Sequence, residues 1–107
     1  MGSVIEINDT LKLTREEGLP PAPKLGETYR FHKSERRLYN LKPTRVFLVE
    51  ERNGFWNYIG HAQIAELTID AEKNETRGSF TVTKLYSREE AALLNKTEAP
   101  DGKGLPL

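Results

Sequence analysis

The dipeptide Asn53-Gly54 constrains the fold of this chain more than any other feature, because it lies between two runs of residues that favour β-structure. The first run, residues 45–52, reads RVFLVEER, and the second begins with FWNY at residue 55. Asn-Gly is the preferred centre of a two-residue hairpin turn, since both turn positions need a positive φ. The sequence therefore predicts an antiparallel hairpin with arms Arg45–Arg52 and Phe55–Asp70.

The second arm of this hairpin is too long to form one flat strand, since strands usually have about 3–10 residues. Its alternation of polar and apolar residues shifts between Gly60 and Ala65, so we expect a bulge or a sharp bend there. β-branched and aromatic residues, which favour strands, also occur outside the hairpin. Further strands are expected at residues 4–13 (with a turn at Asn8-Asp9), 27–31 and 79–86.

Two capping boxes predict two short helices. In Thr14–Glu17 and Ser87–Glu90, a hydroxyl residue is followed three positions later by Glu, which is typical of a helix start. Gly18 and the prolines after it would end the first helix within a turn or two. We therefore expect a mainly β (α+β) fold, a small, partly closed β-barrel of five to six strands with two short helices. An open α+β roll is the alternative.

A length of 107 residues corresponds to a single domain. Within it we distinguish an N-terminal arm with a proline-rich connector (residues 1–26), a barrel core with a short helix (residues 27–95) and a C-terminal tail (residues 96–107). The chain has no apolar run of the roughly 20 residues that a membrane helix needs, and it begins without the apolar stretch of a signal peptide. We expect a soluble cytoplasmic protein that does not bind membranes.

The composition excludes several classes of function. Sixteen basic and sixteen acidic residues give a formal net charge of zero, whereas dedicated non-specific nucleic-acid binders are strongly basic. The absence of cysteine rules out disulfides, thiolate nucleophiles and cysteine-based zinc sites. No HExxH, GxSxG, GxGxxG or GxxxxGK[ST] motif occurs, and no cofactor, metal site or catalytic residue is indicated. Binding is therefore a better expectation than catalysis.

A basic segment, residues 29–45, is the main functional candidate. It reads YRFHKSERRLYNLKPTR and holds six Lys or Arg residues, one acid and three aromatic rings. Cations interleaved with rings neutralise phosphates and stack on bases. The alternative is a solvated edge strand and loop, whose charges discourage aggregation and pair with acids across the sheet.

A second candidate is the start of the long arm. Trp56 and Tyr58 share one strand face, and His61 and Gln63 share a face with each other. If a bulge lies between the two pairs, all four side chains converge on a concavity suited to a small molecule. The alternative is that the aromatics are ordinary packing residues and His61 is a hydrogen-bonded surface residue.

The two candidates give one set of predicted binding residues, in which the cations contact phosphate and the rings stack. They are Arg30, His32, Arg36, Arg37, Tyr39, Lys42, Arg45, Trp56, Tyr58 and His61.

Three segments resemble a family of small uncharacterised prokaryotic proteins. They are LTREEGLP at residues 13–20, RLYNLKPTRVFLVEE at 37–51 and WNYIGHAQIAELTID at 56–70. The general shape of that family is similar to compact PUA-like β-barrels, a group that includes RNA-binding modules. The resemblance implies a PUA-like barrel and recognition of RNA or a nucleotide. The G-x-K-x-x-E/R signature of the ASCH branch is missing, and the resemblance carries over no catalytic residues.

The leading hypothesis is a non-enzymatic barrel domain that recognises RNA or a nucleotide-like anion. One alternative is a protein-interaction or assembly module, which would use strand edges and the proline-rich connector. Another is a small-molecule enzyme that uses His32 or His61 with a nearby Glu. The sequence does not indicate an oligomeric state.

Overall fold

The computed structural model describes residues 7–97, and the chain there is mainly β with one helix, as predicted in outline. The elements are β1 (Ile7–Asn8), β2 (Thr10–Leu13), β3 (Thr28–Lys33), β4 (Leu38–Tyr39), β5 (Arg45–Arg52), β6 (Phe55–Asp70), β7 (Glu75–Leu85) and α1 (Arg88–Thr97). Two parts of the predictions lie outside the described residues. They are the start of the strand predicted at residues 4–13 and the tail from residue 98 onward. No helix within residues 7–97 has the length and apolar character needed to cross a bilayer.

The predicted hairpin is confirmed at its turn and in both arms. Asn53 and Gly54 have φ values of 53° and 81°, the two positive values that a tight hairpin turn requires. β5 and β6 pair in antiparallel fashion from Arg52 opposite Phe55 back to Arg45 opposite Gln63. A local signal of two residues therefore sets the register of β5 and β6 next to the turn.

The predicted bulge is also confirmed. Leu48 pairs with Gly60 and Val49 pairs with Tyr58, so Ile59 is an extra residue in β6. Further register shifts lie between β6 and β7, around Ala62 and just after Ile64. These irregularities bend the long strand, as bulges do elsewhere.

The five-stranded sheet, in the order β2-β5-β6-β7-β3, curls so that its two edge strands approach each other. In a flat sheet, β2 and β3 would lie about 19 Å apart. Instead, Nζ of Lys33 in β3 donates a hydrogen bond of 2.7 Å to the carbonyl oxygen of Lys12 in β2. β1 and β4, which flank these edge strands in the chain, form a separate parallel pair. Within residues 7–97 no backbone ladder joins β2 to β3, so the sheet does not close into a barrel.

The concave side of the sheet holds the apolar core, and the segment predicted as an N-terminal arm belongs to it. β2 pairs in parallel with β5, and Leu11, Leu13 and Leu19 are all buried. The buried core cluster consists of Leu11, Leu13, Leu19, Phe31, Tyr39, Val46, Leu48, Ala62, Ile64, Phe80 and Val82.

Only the second capping box opens a helix, so the prediction of two helices is wrong for the first. Ser87 N donates to Glu90 Oε1 at 3.0 Å, and Glu90 N donates to Ser87 Oγ at 3.1 Å. Thr14 and Glu17 make the same reciprocal bonds, but the chain forms a turn there. The reason is Gly18, whose φ of 114° turns the chain back before a helix can propagate.

Helix α1 packs against β6 through a buried amide. Asn95 is 2% exposed, and its Oδ1 accepts a hydrogen bond of 2.7 Å from the backbone N–H of Tyr58. Its Nδ2 donates to Oδ1 of Asn57 at 3.0 Å. The helix therefore supplies a partner for the backbone next to the Ile59 bulge.

Candidate basic-aromatic binding face

The bulge at Ile59 brings two rings of β6 onto the convex face of the sheet. Residues 58 and 61 would point to opposite faces of a regular strand. With one extra residue between them, Tyr58 and His61 both pack against Phe47 of β5, at ring-centroid distances of 5.9 and 5.6 Å. The extra residue therefore brings these two rings to one face of the sheet, but that face is convex and is not the concavity predicted for Trp56, Tyr58, His61 and Gln63.

These contacts extend into a row of five rings across the convex face. Trp56 lies 6.4 Å from Tyr58 at one end, and Tyr86 lies 5.2 Å from His61 at the other, with the two ring planes at 87°. Such edge-to-face contacts are favourable for aromatic side chains. The rings come from β5, β6 and the residue after β7, so three separate segments build the row.

Cations lie beside three of the rings. The guanidinium carbon of Arg45 is 4.7 Å from the centre of the Phe47 ring. Nζ of Lys84 is 5.6 Å from the Tyr86 ring, and Nζ of Lys12 is 4.7 Å from the Trp56 ring. We define the basic-aromatic face as the group at the Tyr86 end of the row, which consists of Arg45, Phe47, His61, Lys84 and Tyr86.

The two cations of the basic-aromatic face differ in their acidic partners. Lys84 forms an ion pair of 3.2 Å with Glu90, and exposed pairs of this kind stabilise a fold by only about 0–1 kcal/mol. Arg45 is exposed and has no carboxylate within 4.0 Å among residues 7–97. Arg45 is therefore available to a ligand, and Lys84 becomes so if it leaves Glu90.

His61 is held neutral by its surroundings. Burial lowers the pKa of His61 below its ordinary value of 6.5, and the positive charges of Arg45 and Lys84 lower it further, while Glu90 acts in the opposite direction. Burial raises the pKa of the Tyr86 phenol. At pH 7 the face therefore presents a neutral imidazole and a protonated phenol between two cations.

Two of the predicted residues line a different site. Arg30 and His32 lie in a groove of about 530 Å³ on the outer side of β3, β6 and β7. Its wall also carries Glu16, Glu66 and Arg77. Because carboxylates alternate with cations there, this groove has no clear preference for an anion.

Three more predicted residues meet at a small cavity of about 90 Å³ beside β2, which we call the cationic pocket. Arg37, Tyr39 and Trp56 belong to its wall. The complete lining is Asn8, Thr10, Lys12, Lys33, Arg37, Tyr39 and Trp56.

The remaining predicted residues lie apart, so the ten do not surround one cavity. Arg36 donates to Oδ1 of Asn74 at the surface, at 3.2 Å, and Lys42 is exposed in the loop before β5. Tyr39 and Tyr58 are only 3% and 5% exposed. Neither of these two rings presents a free face in this conformation, and their stacking on a ligand stays a prediction.

Sequence reasoning missed three members of the basic-aromatic face, Phe47, Lys84 and Tyr86. A usable signal existed, since a cation lies two positions before a ring in both segments, as Arg45 with Phe47 and Lys84 with Tyr86. That spacing puts both members of each pair on one strand face. The pairing of the strands, which brings the two pairs together around His61, is not visible in either segment alone.

No protein-family model, curated protein or solved structure matches this chain. Within residues 7–97, no group of three or more His, Asp or Glu side chains is placed to hold a metal ion.

Proposed function

We propose that this chain is a non-enzymatic binding domain that recognises single-stranded RNA, or a nucleotide-like anion, through the basic-aromatic face. One observation carries the proposal. His61 packs between the rings of Phe47 and Tyr86, and the cations Arg45 and Lys84 lie beside those same two rings.

This arrangement supplies the two interactions that single-stranded nucleic acids need. Half-buried rings offer surface on which an unstacked base lies, and stacking contributes about 1–3 kcal/mol per base. A guanidinium binds phosphate in a bidentate manner and also stacks on rings. Bases within a duplex are already stacked, so the face favours single strands over double-stranded RNA.

The balanced charge of the chain limits the affinity. Non-specific nucleic-acid binding usually has a Kd of roughly 10⁻⁴–10⁻⁶ M at physiological salt. With two cations at the face and a formal net charge of zero, we expect values at the weak end of that range. We also expect a shallow dependence on salt, because few counterions are released.

The curled sheet supports the proposal of a small, partly closed PUA-like barrel. A hydrogen bond from Lys33 to the carbonyl of Lys12 links its two edge strands, and β1 and β4, which flank those strands in the chain, pair with each other. A PUA-like architecture fits an RNA-binding role, although that step is an analogy between folds.

Two observations favour this proposal over the alternatives. Among residues 7–97, neither His32 nor His61 has a side-chain hydrogen bond or ion pair to a carboxylate, as a His-Glu catalytic pair would need. The outer edge of β3 is partly covered, since His32 N donates to the Glu17 carbonyl at 2.9 Å. Strand addition by a partner is therefore disfavoured at that edge.

The test is a fluorescence-anisotropy titration with labelled single-stranded RNA at low salt, about 50 mM. Arg45→Gln should weaken binding and make the salt slope shallower by about 0.7. Arg52→Gln is the matched control, since Arg52 is an exposed arginine at the other end of the same strand and should have no effect.

The rings are tested in the same assay. Tyr86→Leu should weaken binding roughly 5- to 150-fold, the equivalent of one lost stacking contact of about 1–3 kcal/mol. Phe55→Leu removes an exposed ring at the hairpin turn and should leave binding unchanged. Undetectable binding by the wild type at high micromolar protein, or equal effects of the test and control variants, would refute the proposal.

A further inference from the structure

The cationic pocket is separate from the basic-aromatic face and has an unusual composition. Three of its seven lining residues are cations, Lys12, Lys33 and Arg37, and none is a carboxylate. The other four have amide, hydroxyl, phenol and indole groups. Every one of the seven side chains thus carries at least one hydrogen-bond donor.

The carboxylates that balance these cations lie off the pocket wall. Lys33 pairs with Glu17 at 3.1 Å, and Lys12 pairs with Glu51 at 3.3 Å. Arg37 pairs with Glu35. None of the three acids belongs to the lining, so the residues that form the wall are either cationic or neutral.

One of the residues that line the pocket has a donor without a partner. Nε of Arg37 is buried and has no hydrogen bond to any described residue, although a second nitrogen of the same guanidinium bonds Glu35. Buried donors of charged groups are nearly always satisfied. An acceptor from outside residues 7–97 would complete the arrangement.

The phenol of Tyr39 adds a donor that does not ionise at neutral pH. Burial raises the pKa of Tyr39 to about 12, with opposing effects from the nearby charges. A protonated phenol donates a hydrogen bond, whereas a phenolate would repel an anion.

From this lining we infer that the cationic pocket binds a small tetrahedral oxyanion, either free phosphate or sulfate or the terminal phosphate of a nucleotide. Oxyanions accept hydrogen bonds on every oxygen, which matches a wall of donors. A single water needs about 10–15 Å³, so the 90 Å³ of the pocket accommodates a group of four oxygens. The inference does not depend on the basic-aromatic face.

Trp56 provides a built-in probe for this site. It lines the pocket and is the one tryptophan of the chain. The fluorescence emission of Trp56 is recorded while sodium phosphate is added at pH about 7.5. Sodium chloride is removed in step with the added phosphate, so that the ionic strength stays constant. The wild type should show a saturable change with phosphate and sulfate and none with chloride alone. A wild type without a saturable change would overturn the inference.

Neighbouring arginines give a matched pair of variants. Arg37→Gln removes the buried donor and should raise the dissociation constant at least tenfold. Arg36→Gln removes the same charge from a side chain that bonds Asn74 at the surface, and it should leave the constant unchanged. If Arg37→Gln fails to fold by circular dichroism, Lys12→Gln serves instead, since that side chain is 30% exposed. Unaltered phosphate binding in the folded pocket variant would also overturn the inference.

Two further experiments identify the source of the anion and test whether the basic-aromatic face takes part. If adenosine 5′-monophosphate binds and Arg37→Gln weakens it as much as it weakens phosphate, the pocket takes a phosphomonoester. If only the inorganic anions bind, the pocket takes the free ion. Tyr86→Leu should leave phosphate binding intact, so loss of RNA binding and loss of phosphate binding are distinguishable.

Discussion

Replacement of Asn95 by alanine tests how α1 supports the bulged strand beneath the row of rings. The buried amide of Asn95 accepts the backbone N–H of Tyr58 at 2.7 Å and donates to the side chain of Asn57 at 3.0 Å. Alanine removes both bonds and leaves the Tyr58 N–H without this acceptor. A regular β-ladder does not easily supply another acceptor for this N–H, because Ile59 is an extra residue in β6.

The magnitude follows from these two losses. A buried donor left without an acceptor costs about 1–3 kcal/mol, and a lost neutral hydrogen bond costs about 0.5–1.5 kcal/mol. We expect Asn95→Ala to lower the free energy of unfolding by about 2–4 kcal/mol, or Tm by roughly 8–16 °C. That is a large part of the 5–15 kcal/mol typical of a domain of this size.

Urea denaturation followed by circular dichroism measures this change. The midpoint should fall while the m-value stays constant, and the Tyr58 amide should lose its protection from hydrogen exchange. Lys96→Ala, at the exposed neighbouring position of the helix, should change stability by less than about 0.5 kcal/mol. A change below about 0.5 kcal/mol for Asn95→Ala, or an unaltered exchange rate for Tyr58, would refute this account of how the helix packs.

Three other changes have defined outcomes. A Cβ at Gly60 would lie 1.9 Å from the carbonyl oxygen of Lys84. Gly60→Ala should therefore lower the free energy of unfolding in urea by about 1–3 kcal/mol or more. An unchanged free energy of unfolding would contradict the close approach of the two strands. The pKa of His61 is lower in the folded chain than its ordinary value of 6.5. Below pH 6.5 the unfolded chain therefore binds more protons at this residue than the folded chain does. His61 thus lowers the free energy of unfolding as the pH falls below 6.5. Arg45→Gln should raise that pKa in an NMR titration, and an unchanged value would show that the Arg45 charge does not act on the ring. Glu90→Gln keeps the capping box but releases Lys84 from its ion pair. The affinity for RNA should therefore rise about two- to fivefold. A lower affinity would argue against Lys84 as a ligand contact.

Local signals predicted the central strands and the helix after Ser87. Asn53-Gly54 specifies its own turn conformation, and the ends of β5 and β6 that flank the turn follow from it. The capping box at Thr14 shows the limit of such signals. The same two hydrogen bonds form there, yet Gly18 and the packing of Leu19 into the core leave only a turn.

Long-range pairing determined what the sequence did not predict. β2 joins β5 in parallel, and no local pattern near Thr10 indicates that partner. Tyr39 belongs to a basic segment, but its ring packs edge-on against Phe31 in the core at 5.9 Å. The basic-aromatic face likewise depends on three strands meeting, so only part of it, Arg45 and His61, was among the predicted binding residues.

The most direct test of the central claim is an NMR perturbation map of the ¹⁵N-labelled chain with a short single-stranded RNA at low salt. We predict that the largest shifts fall on the residues of the basic-aromatic face, and that they diminish as salt rises. Shifts confined to the groove around Arg30 and His32, or no shifts at millimolar RNA, would contradict the claim.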